Sequence, residues 1–187
     1  HGKGQAFPLI EDEGALARLV SDLYRELSGE YATQSVTKGL RRCIAYAKNM
    51  MLNQEEISQL DTGFEKFPEL YSRYNQTLRR QRWMDYDDQM VYAKTILERY
   101  PHVLAHFQEA FPYICVDESQ DTSRIQHAII NLLARKSGNI FLVGDEDQSI
   151  YGFRAAYPDA LMQFERTYPG ARVLLMGENY RSTPEIL

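Results

Sequence analysis

Tyr113-Ile114-Cys115-Val116-Asp117-Glu118 and, further along, Ile140-Phe141-Leu142-Val143-Gly144-Asp145-Glu146-Asp147 carry the reading of this chain. Each is a four-residue apolar run, too short for a helix, that stops abruptly at acids. Between them Ile125, Ile129, Leu132 and Leu133 recur at helical spacing. A further helix is expected to begin near Pro158, because proline suits the first helical position. Beyond it, Pro169-Gly170 predicts a turn, and Val173-Leu174-Leu175-Met176 predicts a third strand. Short apolar strands alternating with helices predict an α/β fold with a parallel sheet. In open parallel sheets, functional groups gather at the carboxyl ends of the strands. The candidate site is therefore the two acidic strand ends, Asp117-Glu118 with Asp121 and Asp145-Glu146-Asp147.

Upstream the period changes. Leu16, Leu19, Val20, Leu23, Tyr24 and Leu27 form one apolar helical face, and Leu40, Ile44, Ala47 and Met51 form another within a helix expected over 35–52. Asn53 with Glu56 predicts a capping box opening a short helix. Phe67, Leu70, Tyr71, Tyr74 and Leu78 make the next stripe, read as core. Asp85 with Asp88 predicts a cap for a helix carrying Met90, Val91, Lys94 and Leu97. The division falls between an all-helical part, 1–84, and an α/β part, 85–187.

Composition sets the outer limits. The 187 residues are 44% hydrophobic and 25% charged, an ordinary globular mixture. Lys and Arg total 21 against 26 Asp and Glu, a net charge of −5, which excludes a histone-like coat for nucleic acid but not a local basic groove. Lys38, Arg41, Arg42 and Lys48 on one helix, and Arg79, Arg80 and Arg82 on another, are candidate phosphate contacts or solvated faces. Cys43 and Cys115 lack metal-ligand spacing and read as reduced thiols. His102 and His106 share a helical spacing, but no acidic zinc-site pattern accompanies them. With no long apolar run and no signal peptide, a cytoplasmic protein without membrane contact is expected.

An apolar strand ending in Asp-Glu suits nucleotide chemistry. The Asp can hold Mg²⁺, usually through water, since Mg²⁺ prefers oxygen ligands and dehydrates reluctantly. The Glu can polarise an attacking water. Longer strings surround that pair: Val116-Asp117-Glu118-Ser119-Gln120-Asp121-Thr122, then Val143-Gly144-Asp145-Glu146-Asp147-Gln148-Ser149-Ile150-Tyr151-Gly152-Phe153-Arg154, then Glu178-Asn179-Tyr180-Arg181-Ser182-Thr183. In this order and spacing they resemble motifs II, III and IV of the superfamily-one DNA helicases of the UvrD, PcrA and Rep type. Asp85-Tyr86-Asp87-Asp88 is similar to that family's Asp-Phe-Asp-Asp segment.

The resemblance covers most of 85–187. It implies a partial RecA-like parallel sheet with helices (domain 1A), preceded by an all-α inserted subdomain similar to subdomain 1B. It further implies ATP and Mg²⁺ as cofactors, single-stranded DNA and duplex junctions as partners, and movement from 3′ to 5′. By the same resemblance, Asp117 organises Mg²⁺ and Glu118 is the general base. Gln148 senses the γ-phosphate, Tyr180 stacks on adenine, and Arg181 is an arginine finger. Tyr151 and Phe153 meet single-stranded DNA, with Arg154 beside it.

The departures matter equally. No Gly-x-x-x-x-Gly-Lys-Ser/Thr loop, which would cradle phosphates, occurs in the sequence, and Gly2-Lys3-Gly4 lacks the following Ser or Thr. The chain begins His1-Gly2 and is expected to be an excised or processed piece. Its truncated sheet is expected to favour self-association. Ala155 stands where the family usually has Gly. Two other readings stay open: a non-catalytic DNA- or protein-binding module, and a nuclease using the acids with two Mg²⁺ ions. Gln148, Tyr180 and Arg181 argue against the nuclease.

Overall fold

The computed structural model describes residues 7–145, 157, 163–178 and 183. Four helices come first. Helix α1 (Glu13–Ser28) is opened by the Asp12 carboxylate, which accepts the Gly14 N–H, and closed by Gly29 at φ 81°. Its Leu16, Val20, Leu23 and Leu27 face inward. Helix α2 (Gln34–Asn49) is capped by the Thr33 hydroxyl and buries Leu40, Ile44 and Ala47. The short α3 (Gln54–Ser58) has the expected reciprocal Asn53–Glu56 box. Helix α4 (Phe67–Gln81) starts with a proline in its first turn and buries Phe67, Leu70, Tyr74 and Leu78.

These faces share one core, in which Val20 and Leu70 are wholly inaccessible. Burial of each such leucine contributes roughly 1.5–3 kcal/mol, which offsets the ordering entropy of helices too short to persist alone. The aromatic stripe of α4 is core, as expected. The chain before α1 lies beside Met84, with the Ile10 N–H on the Met84 carbonyl at 2.9 Å and the Met84 N–H on that of Pro8 at 3.2 Å.

Helix α5 (Tyr86–Arg99) opens on the expected Asp85–Asp88 box, and α6 (Pro101–Ala110) follows with a proline in its first turn. Then come β1 (Ile114–Val116), a single 3₁₀ turn (Ser119–Asp121), α7 (Arg124–Ala134) and β2 (Ile140–Leu142). β1 and β2 pair in parallel with Ile114 opposite Ile140 and Val116 opposite Leu142, so α7 is the crossover. Helix α7 packs on α5, α6 and α2, joining the helical layer to the strand pair. Ile140 and Leu142 face α7, whereas Phe141 is 57% exposed on the other side.

Two expectations change. Val173-Leu174-Leu175-Met176 forms no strand, and these side chains are 61–93% exposed. An apolar run becomes a strand only where a ladder partner accepts its N–H groups, and no described residue pairs with it. Lys48 is no solvated phosphate contact: it is 4% exposed and lies inside the helical layer. The helix expected near Pro158 falls outside the described residues; within them this region has one helical turn, Phe164–Thr167.

Candidate functional site

The hydrogen-bond ladder of β1 and β2 runs past both strands. The Val143 N–H meets the Val116 carbonyl at 2.8 Å, and the Ser119 N–H meets the Val143 carbonyl at 2.9 Å. The two acidic strand ends therefore leave the sheet from adjacent, mutually bonded points.

Asp117 is exposed at the end of β1, and its Oδ1 accepts the Glu118 N–H at 2.9 Å. Among the described residues no basic side chain pairs with it. A hard oxygen donor without a neutralising cation is the donor chemistry Mg²⁺ takes. No group of three or more His, Cys, Asp or Glu able to hold a metal occurs among the described residues. The exposed Asp117 carboxylate fits an ion that keeps most of its waters.

Glu118 follows with φ 49° and ψ 44°, a left-handed conformation that costs a non-glycine residue roughly 1–2 kcal/mol. That backbone turns the chain sharply out of the strand and leaves the Glu118 side chain exposed. Its Oε2 accepts from Gln120 Nε2 at 2.6 Å. Gln120 is 2% exposed, and its Oε1 accepts the Asp145 N–H at 3.1 Å.

A second layer of polar contacts lies beneath. The Thr122 hydroxyl donates to the Ser119 carbonyl at 2.7 Å and also meets His127 Nε2 on α7. The Thr122 carbonyl accepts the Tyr157 N–H at 2.9 Å, and the Tyr157 ring lies edge-on to His127. Burial pushes the His127 imidazole below its ordinary value, against a hydrogen bond to the Ser119 backbone. Ser119 Oγ is fully buried and has no hydrogen-bond partner among the described residues.

Sequence reasoning places Asp117 and Glu118 at this strand end but misses Gln120. Gln148, Tyr151, Phe153, Arg154, Tyr180 and Arg181 lie outside the described residues, as do Glu146, Asp147 and Ala155.

It also misses a charged cluster inside the helical layer. Lys48 Nζ donates to Asp85 Oδ2 and to Asp88 Oδ1, each at 2.7 Å, and the Tyr74 hydroxyl donates to Asp85 Oδ2 at 2.8 Å. Burial alone would lower the Lys48 ammonium, but the two carboxylates override it and hold the group above its ordinary value. The sequence does hold a signal: Lys48 follows Ile44 by four positions and so falls on the buried stripe of α2, where a lysine needs a partner. Of the other basic candidates, Arg41 pairs with Glu13 at 3.2 Å, and Arg82 stacks over the Phe7 ring. Lys38, Arg42, Arg79 and Arg80 are exposed.

A helical layer joined to a parallel strand pair with acids at both strand ends is a partial α/β domain. The chain belongs to the UvrD/REP helicase N-terminal domain family, whose model matches residues 3–169. It is 42% identical over 191 residues to the ATP-dependent DNA helicase PcrA of Leuconostoc citreum, a match covering 100% of this chain and 25% of that protein. The protein of that name in Bacillus subtilis is 39% identical over 146 residues, 77% of this chain and 20% of the relative. The one in Staphylococcus aureus strain Mu50 is 44% identical over 118 residues, 63% of this chain and 16% of the relative. The chain thus spans at most a quarter of the length of these relatives.

Proposed function

We propose that this chain is the part of an ATP-driven DNA helicase that carries its hydrolytic acids. The observation behind this reading is the Asp117-Glu118 pair at the end of β1, in a chain of the UvrD/REP family. Residues 1–84 serve as the inserted helical subdomain and 85–187 as part of the RecA-like domain. Bound Mg²⁺ supplies positive charge to the nucleotide phosphates, with Asp117 as its protein ligand, mainly through water.

Glu118 accepts the proton of the water that attacks the γ-phosphate. Gln148 senses that phosphate, and Arg181 stabilises the charge developing on it, a contribution of roughly 10³–10⁵ in rate for arginine fingers. Tyr180 stacks on adenine. Tyr151 and Phe153 stack on DNA bases, each worth roughly 1–3 kcal/mol without sequence preference, and Arg154 lies beside the strand. The exposed Lys38, Arg42, Arg79 and Arg80 add phosphate contacts. The full protein moves 3′ to 5′ on single-stranded DNA, opens duplex junctions and works in the cytoplasm. No helix among the described residues is long and apolar enough to cross a membrane.

A second reading, a DNA- or partner-binding module without turnover, is favoured by one observation: the 187 residues contain no phosphate-cradling Gly-x-x-x-x-Gly-Lys-Ser/Thr loop. The exposed Phe141 and Val143 favour self-association of the chain as it stands, which light scattering across a concentration series measures.

The test of the main reading is Mg²⁺-dependent ATP hydrolysis with and without single-stranded DNA, in this chain and in the full-length protein, each beside Glu118→Gln. DNA-stimulated turnover in the full-length protein, lost in Glu118→Gln, supports it. Turnover surviving in Glu118→Gln refutes the base assignment. DNA binding with no turnover in either form selects the second reading.

A further inference from the structure

We propose that Gln120 is a positioning residue for hydrolysis: its amide aims the Glu118 carboxylate and ties it to the backbone of the second acidic strand end at Asp145. The inference rests on the reading of Glu118 as the general base.

The geometry uses both ends of one side chain. Nε2 donates to Glu118 Oε2 at 2.6 Å, and Oε1 accepts the Asp145 N–H at 3.1 Å. Only one orientation of the amide satisfies both contacts. Flipped, its NH₂ would face the Asp145 N–H and its carbonyl would face a carboxylate. Gln120 is 2% exposed, so neither end can turn to water instead. Glu118 by contrast is exposed and stands on a left-handed backbone, with Gln120 as its hydrogen-bonding side-chain partner among the described residues.

A carboxylate on such a turn has rotamer freedom that a base cannot use, because proton transfer needs an oxygen within about 2.6–3.2 Å of the water. Holding Oε2 fixes the carboxylate plane and leaves Oε1 to face the reaction. The tie to Asp145 joins the base to the second acidic strand end, which leads three residues on in sequence to Gln148.

The substitution that separates the two contacts is Gln120→Glu. Its carboxylate still accepts the Asp145 N–H but repels Glu118, and on protonation it can donate to Glu118 again. In the full-length protein at pH 8, kcat should fall about tenfold with KM for ATP within about twofold, and the deficit against the unchanged protein should shrink about threefold by pH 6. A merely structural role would give a deficit without acid rescue.

A readout independent of turnover is the Gln120 side-chain amide in ¹H–¹⁵N spectra of this chain. One proton should be shifted downfield and exchange slowly, and Glu118→Ala should abolish both features. Unchanged kcat in Gln120→Glu, a deficit without acid recovery, or an amide indifferent to Glu118→Ala each overturns the proposal. Turnover surviving Glu118→Gln would instead bring down the reading of Glu118 itself.

Discussion

Replacing Lys48 with methionine keeps most of the apolar stem and removes the charge together with its two hydrogen bonds. The Lys48, Asp85 and Asp88 side chains are 3%, 7% and 10% exposed, and both ion-pair contacts are 2.7 Å. Removing one partner of such a buried cluster leaves the others uncompensated, a loss of roughly 3–5 kcal/mol. A second route gives the same size. The variant can take up one proton on Asp88, whose carboxyl burial already pushes above the ordinary range despite the pull of Lys48. Protonating an ordinary aspartate at pH 7 costs about 4 kcal/mol, and at pH 5 about 1.5 kcal/mol, at 1.36 kcal/mol per pH unit.

The deficit of Lys48→Met should therefore be about 4 kcal/mol at pH 7 and less than half of that at pH 5. The sign follows from linkage: the folded variant binds a proton that its unfolded chain lacks, so acid favours its fold. In the unchanged chain the Lys48 contribution persists below its ordinary value and is lost only as pH rises through the higher folded one. Urea unfolding followed by circular dichroism at both pH values measures this. Lys94→Met serves as control, because the Lys94–Glu98 pair is 25% and 47% exposed and is worth less than about 0.5 kcal/mol. A Lys48→Met loss below about 1 kcal/mol at pH 7, or an equal loss at both pH values, would refute the reasoning.

Other perturbations test separate links. Leu70→Ala empties a wholly buried position in the helical core and should cost about 3 kcal/mol in urea titration, with an unchanged denaturant slope. Ser119→Ala removes a buried hydroxyl that has no partner among the described residues and should raise stability by about 1 kcal/mol, read as a higher melting temperature. Burial holds His127 neutral, so its contribution is intact above about pH 6.5 and declines as pH falls toward the lower folded value. A His127→Gln chain should lose that segment of the pH–stability curve while keeping the rest.

What can be read from the residues alone follows the range of the interactions involved. Asn53–Glu56 and Asp85–Asp88 are local, so the chemistry of each pair marks a helix start directly in the sequence. The strands at Ile114 and Ile140 are legible because each apolar run stops at acids and a helix-period segment lies between. Val173–Met176 has the same composition and is no strand, because strand formation depends on a partner that composition does not reveal. Asp117 and Glu118 stand at the strand end where their motif puts them. Gln120 does not stand out, because its importance comes from burial and from a backbone N–H 25 residues away. Lys48 reads as a solvated cation through its neighbours Arg41 and Arg42, although its place on the Ile44 stripe points inward.

The left-handed turn at Glu118 also bears on how this position can drift. Its φ of 49° is a conformation that glycine and asparagine enter most easily and that β-branched residues avoid. Local backbone preference alone would not select a glutamate here. A lineage relieved of the need for that carboxylate should pass first to Gly or Asn at 118, gaining backbone ease as it loses the acid, while a lineage still using it should keep Glu. The residue at this single position is thus an expected marker of whether a copy of the domain still uses that carboxylate.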